Sequence, residues 1–270
     1  MKDKSYMPIS EFSRLTGIKR ENLRYYDQIG LISPEYRGKN DYRYYTQKQL
    51  NTAYLILSLR ELGISIEEIK KYVDRRTPEE MFSLFRTQKK HILKEIKKLH
   101  RMLEVMNLYT NMAEDALKYE ENSINIEYKK KEPIFLGPIL SNDSTDGTMV
   151  SFYDFASENG IDLGFPLGVV VSKENLESGE PLLVFRYYFK VETEENAYKP
   201  EGKYVVIYGR CAYGESDELY ETLFKFINEN NLRICGDAYE EYPLNELSTK
   251  DEDKYCVKIE IMVEDISLKD

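Results

Sequence analysis

The sequence predicts an α segment followed by an α+β domain: a winged helix-turn-helix over residues 1–76, a long coiled-coil dimerisation helix over 77–120, and a C-terminal domain of two β-α-β-β-like halves over 121–270. Three observations carry this reading. Short apolar-periodic runs closed by Gly17, Gly30 and Gly63 occupy the first part. After Pro78 about 38 residues pass without Gly or Pro, as a continuous helix requires. From Asn122 the pattern changes to short β-rich runs separated by acidic loops.

Charge divides the chain in the same way. The 270 residues carry a formal charge of −10, yet residues 1–120 hold 23 Lys and Arg against 17 Asp and Glu, a net of +6, and residues 121–270 hold 15 against 31, a net of −16. A basic half joined to an acidic half requires a separate explanation for each. The cysteines, Cys211, Cys235 and Cys256, are an odd number without close spacing. With no hydrophobic leader and no long apolar run, the chain reads as a reduced, cytoplasmic protein without a membrane segment. His91 and His100 lie nine residues apart and do not share a helix face as an i, i+4 metal pair would, so no metal site and no cofactor is assigned.

Taken in order, Ile9 to Gly17 reads as a short helix with Phe12 and Leu15 on one side. A second helix runs from near Lys19 to Gly30, with Leu23, Tyr26 and Ile29 as a buried stripe and Arg20, Arg24 and Tyr25 facing outward. Two short helices across a tight turn make a helix-turn-helix, whose second member is sized for the major groove. Pro34 ends the helical register, and Gly38 to Asp41 supplies turn chemistry between two tyrosine-bearing stretches, predicting a hairpin or wing. Over residues 23–45, Arg24, Arg37, Lys39 and Arg43 alternate with Tyr25, Tyr26, Tyr36, Tyr42, Tyr44 and Tyr45. Such pairing of phosphate-seeking charge with flat phenols reads as a docking surface, the alternative being a solvated basic loop.

Thr46 caps a helix to Leu62, and Ser65 with Glu68 forms a capping box for another through Val73. Thr77, Pro78 and Glu80 then open the long helix. Its heptad seam runs through Phe85, Ile92, Ile96, Leu99, Leu103, Met106, Ala113 and Leu117, with Lys89 and Thr110 as polar positions. At ~1.5 Å per residue it spans roughly 57 Å, too long for one small core, so a partner helix and hence a homodimer is expected. The alternative is an amphipathic helix lying on its own C-terminal domain. Beyond Asn122 the expected order is strands 124–130 and 134–140, helix 148–158, strands 166–172 and 181–190, strand 203–212, helix 217–230, and strands 233–242 and 255–264.

Strand parity supplies a candidate binding site. In 233–242, Glu240 falls on the same face as Ile234, Ala238 and Tyr242, and Tyr255, Val257, Ile259 and Ile261 form an apolar face in the last strand. Glu240, Tyr242 and Tyr255 on one inner surface would attract a lipophilic cation by charge and ring quadrupole; the alternative is a solvated strand end. Tyr153, Phe185, Tyr187, Tyr208 and Tyr213 are further candidates for the wall of that site.

Residues 8–75 resemble the DNA-binding domain of the MerR family of transcription regulators, through Leu23-Arg-Tyr-Tyr-Asp-Gln-Ile-Gly-Leu-Ile-Ser-Pro34, Asp41-Tyr-Arg-Tyr-Tyr45 and Leu59-Arg-Glu-Leu-Gly-Ile-Ser65. The long helix is similar to that family's antiparallel dimerisation helix. The C-terminal domain resembles the gyrase-inhibitor-like effector domain of the multidrug-sensing BmrR branch, whose Glu-x-Tyr element matches Glu240-Glu241-Tyr242. This resemblance implies a homodimer on a pseudo-palindromic promoter element, RNA polymerase as a partner, and activation by bending and untwisting an over-long spacer. It puts Arg24 in the groove, Arg20 and Tyr25 on phosphates, and Arg43 with Tyr44 on the backbone from the wing.

Two departures stand out. Lys19 replaces the usual small hydroxyl cap, bringing a cation near DNA phosphates, and Asp41 stands where family members often carry Gly, so Asn40 or Asp41 is asked for a positive φ. No cysteine precedes Cys211, which argues against the metal-sensing branches. Two rivals follow from the same domain: hydrolysis of a small molecule, because some gyrase-inhibitor-like domains are similar to hydrolases, and a repressor that needs no ligand. With both histidines in the long helix and no Ser-His or Cys-His pair, the chain is read as a sensor rather than an enzyme.

Overall fold

A computed structural model describes residues 6–141, 145–161, 164–179, 181 and 184–266. The chain divides into two compact units, Met1–Lys98 and Leu99–Asp270.

In the first unit, β1 (Tyr6–Pro8) leads into α1 (Ile9–Thr16) and α2 (Arg20–Gln28), and the wing strands β2 (Tyr36–Arg37) and β3 (Arg43–Thr46) follow. The three strands form one antiparallel sheet in the order β1-β3-β2; β1 was not expected from the sequence. Helix α1 ends because Gly17 takes φ 75°, which returns its N–H to Ser13 O. Phe12, Leu23 and Tyr26 are buried with Tyr45, which stacks on Phe12 at 4.3 Å, whereas Leu15, expected beside Phe12, is exposed. Helices α3 (Gln47–Glu61) and α4 (Ile66–Asp74) complete this core. The capping box at α4 forms, with Ser65 N–H donating to Glu68 Oε2 at 3.2 Å and Glu68 N–H to Ser65 Oγ at 3.3 Å.

Helix α5 (Pro78–Ala116) is the long helix, opened by Glu80 N–H donating to Thr77 Oγ1. It ends one residue before Leu117, the last position of the predicted seam. Two faces of it behave differently. Leu108, Met112 and Ala116, spaced by four, are buried in the second unit. Leu99, Leu103 and Met106, on the seam, stay 56%, 57% and 59% exposed.

The second unit is an antiparallel sheet of β4 (Ile124–Lys129), β5 (Glu132–Leu136), β6 (Leu140–Ser141), β7 (Leu167–Val171), β8 (Val184–Lys190), β9 (Ala197–Lys199), β10 (Gly202–Arg210), β11 (Leu232–Leu244) and β12 (Cys256–Asp265), with helices α6 (Thr145–Glu158), α7 (Lys173–Ser178) and α8 (Asp217–Glu229). The strand order is β4-β10-β12-β11-β7-β8-β5-β9, with β6 on β8. The predicted repeat is visible here: β10-α8-β11-β12 is a β-α-β-β unit, β5-α6-β7-β8 is the same unit with β6 and α7 inserted, and β7 meets β11 at the centre. The sequence reading ran β5 to residue 140, missed α7 and β9, and its strand 181–190 includes 182 and 183, which lie outside the described residues. Helix α8 packs through Tyr220, Leu223 and Ile227 on the face that carries Ala238, Tyr242, Val257, Ile259 and Ile261. The opposite face carries Tyr188, Tyr204, Tyr208 and Tyr239, with Ala116 of α5 among them. On that face Gly168 is required, since a Cβ there would sit 2.5 Å from the Tyr188 ring.

Candidate DNA interface and effector site

On α2, Leu23 and Tyr26 take the inner face, which leaves Arg20, Arg24 and Tyr25 exposed together on the outer one. Lys19 is the residue before the helix, exposed and without a side-chain cap. On the wing, Arg43 and Tyr44 are half-buried, and Tyr44 lies against Tyr36 and Tyr42 at ring distances of 5.7 and 5.4 Å. One residue that sequence reasoning passed over organises this surface. Asp27 of α2 accepts through Oδ2 from Arg37 Nη2 at 2.6 Å and from Arg43 Nε at 2.7 Å, fixing the wing arginines relative to the helix. Both candidates for a positive φ adopt one: Asn40 lies at 59° and Asp41 at 58°.

In the second unit, the eight candidate residues fall into four places. Glu240 is buried beneath α8, where its carboxylate accepts from Ser216 Oγ and Tyr242 OH, each at 2.9 Å. Burial raises its pKa, and the hydroxyls that bond to it oppose the rise. Tyr187 and Phe185 lie edge to face at 5.3 Å near Phe152 of α6, and Tyr208 is on the opposite face, stacked on Tyr119 at 4.2 Å. The remaining residues converge. Tyr213 lies 4.4 Å from Tyr242 and 5.2 Å from Tyr255 by ring centroids, and its hydroxyl donates to Glu246 Oε2 at 2.5 Å.

The Glu246 carboxylate is felt by four phenols from four segments. Tyr109 of α5, Tyr153 of α6, Tyr213 and Tyr255 all have raised pKa values, by burial first and with Glu246 contributing to each. Among the described residues no ammonium or guanidinium pairs with Glu246, which is exposed. A carboxylate without a cationic partner, bonded to a phenol whose ring packs on two others, is chemically suited to a lipophilic cation. Neither Glu246 nor Tyr109 was singled out from the sequence: the first lies beyond the end of β11 and the second reads as one more position of a long helix.

Glu241, one residue from Glu240, points to the other face and into a different environment. It accepts from Tyr188 OH at 2.9 Å and Lys190 Nζ at 3.0 Å, with Lys258 Nζ 3.6 Å away. Burial works against its charged form, but Lys190 and Lys258 outweigh that and hold its pKa well below the usual carboxylate range. Beside it lies a cavity of about 100 Å³ lined by Leu108, Met112, Lys190, Tyr208, Glu241 and Lys258. Lys190 and Lys258 neutralise Glu241 here, and Asp115, the other acid of the lining, pairs with Lys118, so neither offers the bare negative charge that a cation seeks.

Exchanging Glu240 for glutamine raises thermal stability at neutral pH. A buried carboxyl with a raised pKa contributes stability that is full below the ordinary carboxyl pKa and lost as pH rises through the folded value. Glutamine removes that loss while still bonding Ser216 and Tyr242. Paired melting curves should therefore separate at neutral pH, with the variant higher, and merge in acid; a lower-melting variant at pH 7 would contradict this account.

Among the described residues no helix is long and apolar enough to cross a membrane. Residues 7–76 match the family model described as MerR HTH family regulatory protein. Over nearly the whole chain, two relatives from Bacillus subtilis are similar. The multidrug-efflux transporter 2 regulator is 29% identical, covering 97% of this chain and 98% of its own length. The multidrug-efflux transporter 1 regulator is 26% identical, covering 96% and 98%. The HTH-type transcriptional regulator CueR of Escherichia coli O157:H7 is 30% identical over 39% of this chain and 76% of its own length. The chain therefore belongs to the MerR family, as a DNA-binding HTH regulator related over nearly its whole length to regulators of multidrug-efflux transporters.

Proposed function

We propose that the chain is an effector-responsive transcription regulator whose homodimer binds a pseudo-palindromic promoter element and responds to a lipophilic cation. Residues 1–76 dock on DNA, 77–120 form the dimer seam and 121–270 take the effector. Lys19, Arg20, Arg24 and Tyr25 meet the groove and its phosphates, and Arg43 with Tyr44 meets the backbone from the wing. Ligand binding shifts the dimer between two arrangements of the bound promoter, one of them bent and untwisted for RNA polymerase, and it does so through differential affinity for the two.

The observation that carries the effector class is the hydrogen bond from Tyr213 to Glu246, with the Tyr213 ring packed on Tyr242 and Tyr255. The names of the two full-length relatives support the same reading. Glu240, the acid expected to hold the cation, is better explained as part of the contact between sheet and helix, because its two hydrogen bonds and its burial leave it no solvent-facing oxygen.

Titration calorimetry with tetraphenylphosphonium tests this. Glu246→Gln weakens binding about ten-fold or more, since a cation against aromatic rings and a counter-charge draws roughly 1–2 kcal/mol from that arrangement. DNA binding by the same variant stays unchanged, and Glu240→Gln leaves cation affinity intact. Equal affinity in wild type and Glu246→Gln would remove Glu246 from the site.

A further inference from the structure

The wing carries two arginines and two aspartates in one connected group. Asp27 sits on the inner side, with a side chain 5% exposed, and holds Arg37 and Arg43 through a single oxygen. Asp41 sits on the outer side, 62% exposed. Its Oδ1 lies 2.7 Å from Arg37 Nη1, and its Oδ2 lies 3.7 Å from Arg43 Nη1. Both oxygens of Asp41 therefore face the guanidinium nitrogens that Asp27 leaves unoccupied. The group is neutral as a whole: two positive charges, two negative.

Asp41 holds this position in an unfavourable backbone. Its φ of 58° follows Asn40 at 59°, a left-handed pair that a glycine would adopt with less strain. Gly38, three residues earlier, does not take the left-handed step, since its φ is negative. The left-handed step thus falls on the residue that carries the carboxylate, and the turn presents it to the arginines.

We propose that Asp41 is an intramolecular stand-in for a DNA phosphate, an autoinhibitory contact that a phosphate must displace before Arg37 and Arg43 engage the backbone. This rests on the reading that the wing docks on DNA. The two acids then have opposite roles. Asp27 is a positioning residue: buried, it stays in place and aims the arginines. Asp41 is a competitor: exposed and reached through a short side chain, it leaves without disturbing the core. An exposed ion pair is weak enough to be exchanged for a phosphate contact. The consequence is a regulator whose wing adds less net charge to DNA binding than its two arginines suggest, lowering affinity for non-cognate duplex in particular, where charge supplies nearly all of the attraction.

The test is a salt titration of the full chain on duplexes that the wild type recovers from a random-sequence pool, read by fluorescence anisotropy. Asp41→Asn keeps a residue tolerant of positive φ and removes the charge. It should bind about five-fold tighter at constant salt, the upper range for one exposed pair, and its log affinity against log salt should steepen by about one per wing. Asp41→Gly, free of the backbone strain as well, should show the same steepening. Asp27→Asn should weaken binding instead. A wild-type chain that bound with the same slope and affinity as Asp41→Asn would overturn this inference alone, and so would weaker binding by both Asp41 variants, which would make Asp41 a positioning residue. A wild-type chain with no affinity for any duplex would overturn the docking reading together with it.

Discussion

Exchanging Glu260 for glutamine should lower the stability of the second unit by about 3 to 5 kcal/mol, the loss expected when one member of a buried ion group is removed and its partners are left without it. Glu260 and Lys199 each have side chains only 1% exposed and form an ion pair, and Lys258 Nζ lies 2.6 Å from Glu260 Oε1. Lys129 Nζ is 3.4 Å from the same oxygen. Three ammonium groups thus surround one carboxylate on the tyrosine-rich face of the sheet. Without it, Lys199 is left against the rings of Tyr204 and Tyr239, about 5 Å from each centroid, an attraction too weak to replace a full counter-charge.

The pH dependence gives a second readout. Burial, reinforced by neighbouring Lys258 and opposed by Glu241 and Glu132, pushes Lys199 down to about 7. For a lysine whose folded pKa is depressed, the unfolded chain binds more protons between the two values, so stability is complete above the unfolded pKa and is lost as pH falls through the folded one. Removing Glu260 depresses Lys199 further. The deficit of the variant should therefore be largest near and below pH 7 and shrink towards pH 10. In calorimetry, a drop of about 10 °C at pH 7 is expected for a unit of this size. A drop of under 2 °C, or a deficit that grows with pH, would mean that this group is solvated enough to need no carboxylate.

Placing glutamate at position 103 should convert the chain to a monomer and cost two to four orders of magnitude in DNA affinity, the avidity gained by joining two half-site readers. Leu99, Leu103 and Met106 are each more than half exposed, and Ile92 and Ile96, also on the seam, are 43% exposed. Aligned along one helix, these side chains form an apolar strip of the kind that marks an interface rather than a solvated surface. Because Leu103 is 57% exposed, the substitution should leave the melting of the isolated chain little changed. Light scattering at micromolar concentration reports the mass directly. A dimeric Leu103→Glu chain with normal DNA affinity would show that the strip is not the seam.

The helical half was legible because its signals are local. Caps at Ser65 and Thr77, the left-handed terminus at Gly17 and the stripe of Leu23 and Tyr26 are decided within one or two turns of chain. The long helix was legible in outline, and its two faces differ: Leu108, Met112 and Ala116 are buried in the second unit, whereas Leu99, Leu103 and Met106 on the expected seam remain open.

The effector half was harder for a physical reason. Alternation along β12 correctly assigns Val257, Ile259 and Ile261 to the helix-covered face. The same alternation makes Lys258 and Glu260 look like a solvated face, as the polar side of an antiparallel strand usually is. Nothing in a one-dimensional pattern announces that this second face is covered as well, with lysines from four strands pairing with its acids. Alternation likewise placed Glu240 on the inner face beside Tyr242, and gave no sign that Ser216 and Tyr242 would occupy its carboxylate there. The contact of Tyr213 with Glu246 joins two loops 33 residues apart, beyond the reach of any helix or strand periodicity.

Strand β11 has a consequence for how this domain responds to its surroundings. Glu240 and Glu241 are successive residues, and the pleat sends one to the helices and the other to the lysines. Their proton affinities are driven in opposite directions, upward by burial for the first and downward by ammonium neighbours for the second. A single peptide unit at the centre of the pseudo-twofold sheet therefore separates an acid that resists ionisation from one that resists protonation. Any displacement of that unit changes the surroundings of both acids at once, uncovering one from its helix and drawing the other from its lysines.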